Sequence, residues 1–206
     1  MFKILRWDSS KDIAELAAFL IENKLFIGST DTVLGLMCKV SASSKSLIDN
    51  VKIRSGKPYV ILVDSMQKVS KICVINSKLR SFLAACWPGP VTVILPVNKD
   101  VPDWMKEIGT VAIRIPDHKG LRHILSDLPF GLYSTSANIS GEPVPRCFDE
   151  VAQQIKDACV CYIDDESGCK DMPSTIIDCS QDSFQVVRPG AYPIERLQEL
   201  YDRASD

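Results

Sequence analysis

The chain lacks the residues around which many enzyme sites are built. It has only two histidines, and none of its eight cysteines belongs to a Cys-x-x-Cys pair, so no zinc-type ligand spacing occurs. It also contains no P-loop, no dinucleotide-binding fingerprint and no nucleophile elbow. These absences argue against a zinc-stabilised module, a P-loop nucleotidase, a Rossmann-type dehydrogenase and an α/β-hydrolase.

Long apolar runs are missing as well. No stretch is long and apolar enough to span a membrane, and residues 1–8 lack the apolar core of a signal peptide. The net charge of −2 argues against a mainly electrostatic nucleic-acid binder, although it leaves a local basic groove open. We therefore expect a cytoplasmic protein whose cysteines are reduced and pack as small hydrophobic residues.

What the chain does contain is an ordinary globular composition with alternating element patterns. Its 206 residues are 46% hydrophobic and 24% charged, and no linker or repeat interrupts them, which predicts a single domain over 1–206. Strands interleaved with helices predict an α/β fold with a twisted, mixed sheet. Strands are expected at 25–29, 59–63, 91–95, 111–115, 130–133, 159–163, 175–178 and 184–187. Helices are expected from Ser9 or Ser10 to 21, at 43–51, 79–86, 117–126 and 148–156, and from Pro193 onward.

One segment consists almost entirely of small hydroxyl and amide side chains, from Ser134 to Pro143. It cannot build a core, but it can surround an anion with short donors and backbone amides. Upstream, Lys52 and Arg54 are two residues apart, so in extended backbone both would face one side and could meet one polyphosphate. Lys57 adds a third positive charge nearby. The alternative is that these cations are simply solvated.

Other candidate residues mostly follow or end predicted strands, where sites in such sheets are common. Arg114 lies in an apolar strand, where a cation is costly without a partner, so it should pair with a carboxylate or a ligand anion. Thr30-Asp31-Thr32, Ser174 and Arg188 each follow or precede a predicted strand. Each of these could equally be a turn or cap residue.

Taken in order, these motifs resemble the YrdC/TsaC family of threonylcarbamoyl-AMP synthases. The resemblance covers about residues 25 to 190 and rests on seven segments. They are Thr30-Asp31-Thr32-Val33-Leu34-Gly35-Leu36, Lys52-Ile53-Arg54, Trp87-Pro88-Gly89-Pro90-Val91-Thr92, Val111-Ala112-Ile113-Arg114-Ile115-Pro116, Ser134 to Pro143, Pro173-Ser174-Thr175-Ile176 and Arg188-Pro189-Gly190. It implies a YrdC-like open sheet, mostly mixed, with flanking helices and a basic concave face, in the short single-domain form.

The resemblance also implies a reaction. A nucleotidyltransferase of this family makes L-threonylcarbamoyladenylate and pyrophosphate from L-threonine, bicarbonate or CO2, and ATP. Magnesium would accompany ATP, held by the phosphates and water rather than by a protein cage. Downstream proteins would transfer the threonylcarbamoyl group to adenosine in tRNA, and a direct contact of this chain with tRNA or another RNA is left open. No membrane partner is implied.

Residue roles are carried over from the family by position. The catalytic set would be Lys52, Arg54, Ser136 and Asn138. The same residues, with Thr110 and Arg188, would bind ATP. Thr30, Arg114, Ser134 and Ser174 would form the threonine pocket, with Arg114 suited to the amino-acid carboxylate.

The chain departs from the family pattern at several positions, which keeps two other classes open. Ser29 replaces a usual proline, Leu34 a common tyrosine and Val144 a frequent serine. One alternative is a divergent paralogue that binds tRNA or double-stranded RNA without synthase activity. The other is a carbamoyl-transfer accessory domain, which would need additional domains with zinc-type cysteine pairs.

Overall fold

Ten strands in the described part of the chain form one mixed sheet. The computed structural model describes residues 2–53, 59–164, 170–181 and 183–204. The strands are β1 (Lys3–Arg6), β2 (Leu25–Gly28), β3 (Gly35–Lys39), β4 (Val60–Leu62), β5 (Val91–Pro96), β6 (Thr110–Arg114), β7 (Leu132–Ser136), β8 (Cys159–Asp164), β9 (Thr175–Asp178) and β10 (Gln185–Arg188). Neighbours across the sheet follow the order β1-β8-β2-β3-β7-β4-β6-β5-β9-β10, with four parallel and five antiparallel pairs. The predicted α/β fold with a mixed sheet is confirmed.

Eight α-helices flank this sheet within the described residues. In the first of them, the Ser9 side chain accepts a hydrogen bond from the Asp12 N–H, and Leu16 and Leu20 are buried one turn apart. No helix in the described ranges is long and apolar enough to cross a membrane. The helices are α1 (Ser10–Ile21), α2 (Ser44–Lys52), α3 (Met66–Ile72), α4 (Ser77–Cys86), α5 (Asp103–Lys106), α6 (Lys119–Ser126), α7 (Gln153–Ala158) and α8 (Ile194–Arg203).

Helices pack on both faces of the sheet because strand residues alternate between two cores. In β2, Phe26 packs with the apolar residues of α1 and α6, whereas Ile27 packs with those of α2 and α7. Further along, Ile61 and Ile113 face a third core built by α3, α4 and α8, on the same side as α2 and α7. On the side that carries α1 and α6, Leu132 of β7 is buried in the core, whereas Ser134 and Ser136 of the same strand line a cavity.

Most predicted elements are present, but two of them differ and four further elements appear. β7 continues past the predicted end at Tyr133 to Ser136, because residues 132–136 pair in register with β3. The predicted helix at 148–156 is split into a single 3-10 turn, Phe148–Glu150, and α7. Val151 is extended between them and buried in the core beside Ile155. Strands β1 and β3 and helices α3 and α5 were not predicted.

The expectation that Lys52 lies in extended backbone is wrong. Lys52 is the last residue of α2, and the next residue, Ile53, ends the helix in the left-handed conformation with φ 52°. The predicted phosphate contact Arg54 and its neighbour Lys57 lie outside the described residues.

The last strand carries an irregularity that bears on the site. Val186 of β10 pairs with Ile177 of β9, but the next paired residue is Arg188, opposite Ile176. Val187 is therefore an extra residue in the ladder, a β-bulge. Because paired residues point to the same side, the bulge places Arg188 on the side of Ile176.

Candidate functional site

A cavity of about 240 Å³, hereafter the main cavity, lies on the sheet face that carries α1 and α6. Strand alternation brings its residues to one side, since Ser134 and Ser136 of β7 share a face with Leu62 of β4. The lining residues are Thr30, Thr32, Val33, Gly35, Tyr59, Val60, Leu62, Thr92, Arg114, Ser134, Thr135, Ser136, Val144, Pro173, Ser174, Ile176 and Arg188. All four predicted threonine-pocket residues are among them, together with two of the predicted ATP contacts, Ser136 and Arg188.

The turn after β2 is ordered by its own threonines. The Thr30 hydroxyl accepts a hydrogen bond from the Thr32 N–H at 3.1 Å and donates to the Val33 carbonyl at 2.7 Å. Just before the turn, the buried Ser29 hydroxyl accepts a hydrogen bond from the Trp7 indole at 3.0 Å. The serine that replaces the usual proline thus ties this turn to the segment after β1.

Arg114 ends β6 and is buried against the same turn. Its Nη1 donates to the Thr32 hydroxyl at 3.0 Å, and its Nη2 lies 3.2 Å from Oδ1 of the buried Asp31. The other oxygen of Asp31 accepts a hydrogen bond from the Asp117 N–H at 3.0 Å. Burial lowers the pKa of the Arg114 guanidinium, and the Asp31 charge partly opposes that shift. The predicted carboxylate partner of Arg114 is therefore confirmed.

A second arginine reaches the main cavity from β10. Nη2 of Arg188 donates to the Ser174 carbonyl at 2.8 Å, and the Ser174 hydroxyl is hydrogen-bonded to the Thr92 hydroxyl at 2.8 Å. Partial burial lowers the pKa of Arg188, and the positive charge of Arg114 lowers it further. Arg114 and Arg188 give the cavity two positive charges, and none of its described lining residues is Asp or Glu. The cavity is therefore suited to anions.

The turn that follows Arg188 is packed backbone to backbone. The Ala191 N–H donates to the Pro173 carbonyl at 2.9 Å. A Cβ on Gly190 would lie 2.4 Å from that carbonyl oxygen and 2.5 Å from the Thr175 nitrogen. Only glycine allows this approach, which explains why glycine follows Arg188-Pro189.

Lys52 lies beneath the loop that carries Ser136 and Asn138. Its ammonium, on a residue only 2% exposed, donates to the Ser136 carbonyl at 2.6 Å, the Asn138 carbonyl at 2.7 Å and Asn138 Oδ1 at 3.3 Å. The Ser136 hydroxyl donates to the same Oδ1 at 2.5 Å, and the Asn138 amide donates to the Glu142 carbonyl at 2.6 Å. The structure thus brings three of the four predicted catalytic residues together.

Other sequence-selected residues are placed differently. Thr110 begins β6 and lines a smaller cavity of about 60 Å³ with Trp104 and Tyr133 rather than the main cavity. Leu34, where relatives often have tyrosine, is fully buried in the core, and Val33 lines the main cavity instead. Val144 does line it and contributes an apolar surface there.

Sequence reasoning gave no individual role to three residues that hold the site together: Asp31, Thr32 and Thr92. The cost of burying Arg114 indicated that a carboxylate would be needed, and Asp31 stands in a motif already selected. Nothing in the sequence pointed to the contact between Thr92 and Ser174, which joins distant segments.

Comparisons with known proteins show which family and which solved structures the chain resembles. A family model named Sua5/YciO/YrdC, described as telomere recombination, matches residues 18–190. A protein of Methanocaldococcus jannaschii is 30% identical over 200 residues, covering 96% of this chain and 94% of the relative. A protein of Bacillus subtilis named threonylcarbamoyl-AMP synthase is 28% identical, covering 91% of this chain and 56% of the relative. The crystal structure of Pyrococcus abyssi Sua5 complexed with L-threonine has a TM-score of 0.85 at 30% identity, covering 97% of this chain and 60% of that one.

Proposed function

Since this chain belongs to the Sua5/YciO/YrdC family, we propose that it is a threonylcarbamoyl-AMP synthase. The observation that carries the proposal is the gathering of Thr30, Arg114, Ser134 and Ser174 in one cavity with a second arginine at its wall. A cavity that presents two guanidinium groups and several hydroxyls is suited to hold two anionic substrates side by side. The chain covers 56% of the B. subtilis relative and 60% of the P. abyssi structure. That this chain is active without the remaining length of those proteins is therefore part of the proposal.

L-Threonine would bind with its carboxylate at Arg114. The guanidinium is fixed by Thr32 and Asp31, which lie on the turn after β2. Thr30, Ser134 and Ser174 would supply hydroxyls around the rest of the amino acid. A relative in this family has been crystallised with L-threonine, which supports the choice of amino acid.

ATP would lie across the Ser136–Asn138 loop, with Arg188 and Arg54 on its phosphates and Thr110 as a further contact. Ser136 and Asn138 present hydroxyl and amide groups, and Lys52 delivers its charge from beneath them through three hydrogen bonds to the loop. None of the described residues that line the main cavity is Asp or Glu. A magnesium ion would therefore be held by the ATP phosphates and water.

The chemistry requires positioning more than a protein nucleophile. The neutral amine of threonine adds to CO2 and loses a proton, which gives a carbamate. A carbamate oxygen then attacks the α-phosphorus of ATP, the bond to the β-phosphate oxygen breaks, and pyrophosphate leaves. The protein's part is to hold the two anions in line and to stabilise the developing negative charge.

The product fits a role in tRNA modification in the cytoplasm. A carbamoyl-adenylate is a mixed anhydride, so a downstream transfer protein would deliver its threonylcarbamoyl group to adenosine in tRNA. Bicarbonate would enter as CO2 or be converted to it before the amine reacts.

The proposal is tested by incubating the purified protein with ATP, magnesium and bicarbonate, with and without L-threonine, and with L-serine and L-alanine as controls. Threonine-dependent pyrophosphate release, with threonylcarbamoyl-adenylate identified by mass spectrometry, is expected. If a folded protein that binds ATP releases no pyrophosphate with any amino acid, the synthase proposal fails. Salt-dependent tRNA binding in that case would favour the RNA-binding paralogue.

A further inference from the structure

The turn after β2 contains a buried carboxylate to which neither sequence nor family position has assigned a role. Asp31 is 7% exposed, and it is absent from the lining of the main cavity, whereas its partner Arg114 is 4% exposed and does line it. Asp31 therefore stands behind Arg114 as seen from the cavity. Its second oxygen is held by the Asp117 N–H, so the carboxylate is fixed from both sides.

The contacts of Arg114 show what this carboxylate contributes. Nη1 makes a directed hydrogen bond to the Thr32 hydroxyl, but Nη2 meets Asp31 Oδ1 at 3.2 Å without hydrogen-bond alignment. Within the described ranges, Arg114 Nε has no hydrogen-bond partner. A single directed hydrogen bond cannot fix the orientation of a planar guanidinium with five N–H donors. Attraction to the charge of Asp31 therefore has to restrain the orientation of the Arg114 guanidinium.

We propose that Asp31 is a positioning residue that holds the Arg114 guanidinium in the orientation needed to receive the carboxylate of the amino-acid substrate. It does so without touching the substrate. This inference rests on the proposed function, because it takes threonine as the ligand of Arg114.

The competing view makes the opposite prediction for affinity. If Asp31 served only to balance charge, replacing it by a neutral residue would leave Arg114 more strongly positive towards the cavity, and an anionic substrate would bind more tightly. If Asp31 orients the guanidinium, the same replacement lets it turn away, and the substrate binds more weakly. The sign of the change in threonine affinity therefore distinguishes the two roles.

The test compares Asp31→Asn with Asp64→Asn. Asparagine keeps the shape and the acceptor for the Asp117 N–H. Asp64 forms a part-buried ion pair with Lys68 at 2.7 Å, and neither residue lines the main cavity, so this variant is a matched control for losing an ion pair. For each protein, KM for threonine, KM for ATP and kcat are measured by pyrophosphate release. Binding of L-threonine and of L-threoninol, which lacks the carboxylate, is measured by calorimetry.

We expect Asp31→Asn to raise KM for threonine about tenfold or more, with KM for ATP and kcat within about threefold of wild type, because only the carboxylate contact is disturbed. The preference for threonine over threoninol should fall by a similar factor. Asp64→Asn should change neither. An unchanged or lower KM for threonine in a folded Asp31→Asn protein would overturn the inference.

A second pair of variants covers the case in which Asp31→Asn does not fold. The pair consists of Arg114→Gln and the double variant Arg114→Gln/Asp31→Asn. The double variant lacks both charges, so no buried charge is left uncompensated. If Asp31 acts through Arg114, the double variant should bind threonine as weakly as Arg114→Gln alone. A further loss of threonine affinity in the double variant would show a different role for Asp31. Wild-type protein that binds threonine without forming the adenylate would sink only the proposed function, whereas wild-type protein that binds no threonine would overturn both.

Discussion

At the scale of single residues, Lys52 illustrates how a charge can serve a site that it does not line. Three of its hydrogen bonds join the end of α2 to two backbone carbonyls and a side-chain oxygen of the Ser136–Asn138 loop. A lysine in this setting orders the loop, and in the proposed function its charge would act on the ATP phosphates through the loop rather than by direct contact. This differs from a lysine that contacts the triphosphate directly, as the sequence alone suggested.

Replacing Lys52 by alanine should therefore lower stability as well as activity. The Ser136 and Asn138 carbonyls and Asn138 Oδ1 would lose a charged donor, although Oδ1 would keep the Ser136 hydroxyl. This loss costs on the order of 2–5 kcal/mol of unfolding free energy. We also expect adenylate formation to fall about a hundredfold or more, since the loop would lose its order. Urea denaturation and the pyrophosphate assay measure the two effects.

Lys71→Ala is the matched control for this prediction, since Lys71 is exposed on α3 and should tolerate the change. A Lys52→Ala protein with wild-type stability but no activity would assign Lys52 to the phosphates instead. Normal activity in a folded protein would remove it from the site altogether.

At the scale of elements, the site depends on how the turn after β10 meets the start of β9. The backbone of Gly190 approaches the Pro173 carbonyl so closely that no side chain fits between them. The same contact keeps Arg188 against Ser174.

Gly190→Ala should push this turn outward and carry Arg188 away from Ser174. We expect KM for ATP to rise several-fold, with a smaller effect on KM for threonine, because the Arg114 side of the cavity is built from other elements. Steady-state kinetics check this expectation, with Gln185→Ala on exposed β10 as the control. Unchanged kinetics for ATP would show that Arg188 does not depend on the turn.

Local patterns were enough to predict most elements but not how they end. Apolar periodicity identified α1 and α4, and the Trp87-Pro88-Gly89-Pro90 run marked the end of α4 at Cys86. Periodicity could not show that Ser134 to Ser136 are strand, because that depends on pairing with β3 and β4. Short strands such as β1 and β3 were missed because tertiary pairing, rather than sequence preference, defines them.

The site residues also divide into those that the local sequence predicted and those that depend on distant contacts. Residues whose chemistry is unusual for their surroundings, such as Arg114 in an apolar strand and the hydroxyl-rich run of β7, were found from the sequence. Residues that act through a distant partner were not, because chain position carries no record of spatial neighbours. Thr92 belongs to this second group, and so does the role of Asp31, although its motif had been selected.

At the scale of the whole molecule, burial of thiols links stability to pH. Burial is the largest cause that raises the pKa of five cysteines to about 12, from an ordinary value of 9.0: Cys38, Cys73, Cys86, Cys161 and Cys179. The folded state therefore keeps protons that the unfolded chain releases above pH 9. This contribution is fully present below pH 9 and is lost as pH rises towards 12.

Unfolding free energy should thus fall steeply between pH 9 and pH 11, with each thiol contributing up to about 1.4 kcal/mol per pH unit. Tyr133, whose pKa burial raises to about 12, acts in the same direction above pH 10. Urea denaturation under reducing conditions at pH 8, 9.5 and 10.5 measures the trend. Cys73→Ala should lessen the slope by one thiol's share, and a flat profile over this range would contradict the prediction.

The bulge in β10 has a consequence for comparing sequences. In a regular ladder, the residue directly after Val186 would lie opposite Ile176. Because Val187 is an extra residue, Arg188 takes that place instead, one position later in the chain. A relative that lacked one residue before its arginine could therefore place the same guanidinium in the same cavity with an unbroken ladder. A single-residue gap at this point of an alignment should be neutral for the site, whereas a gap between Arg188 and Gly190 should not be.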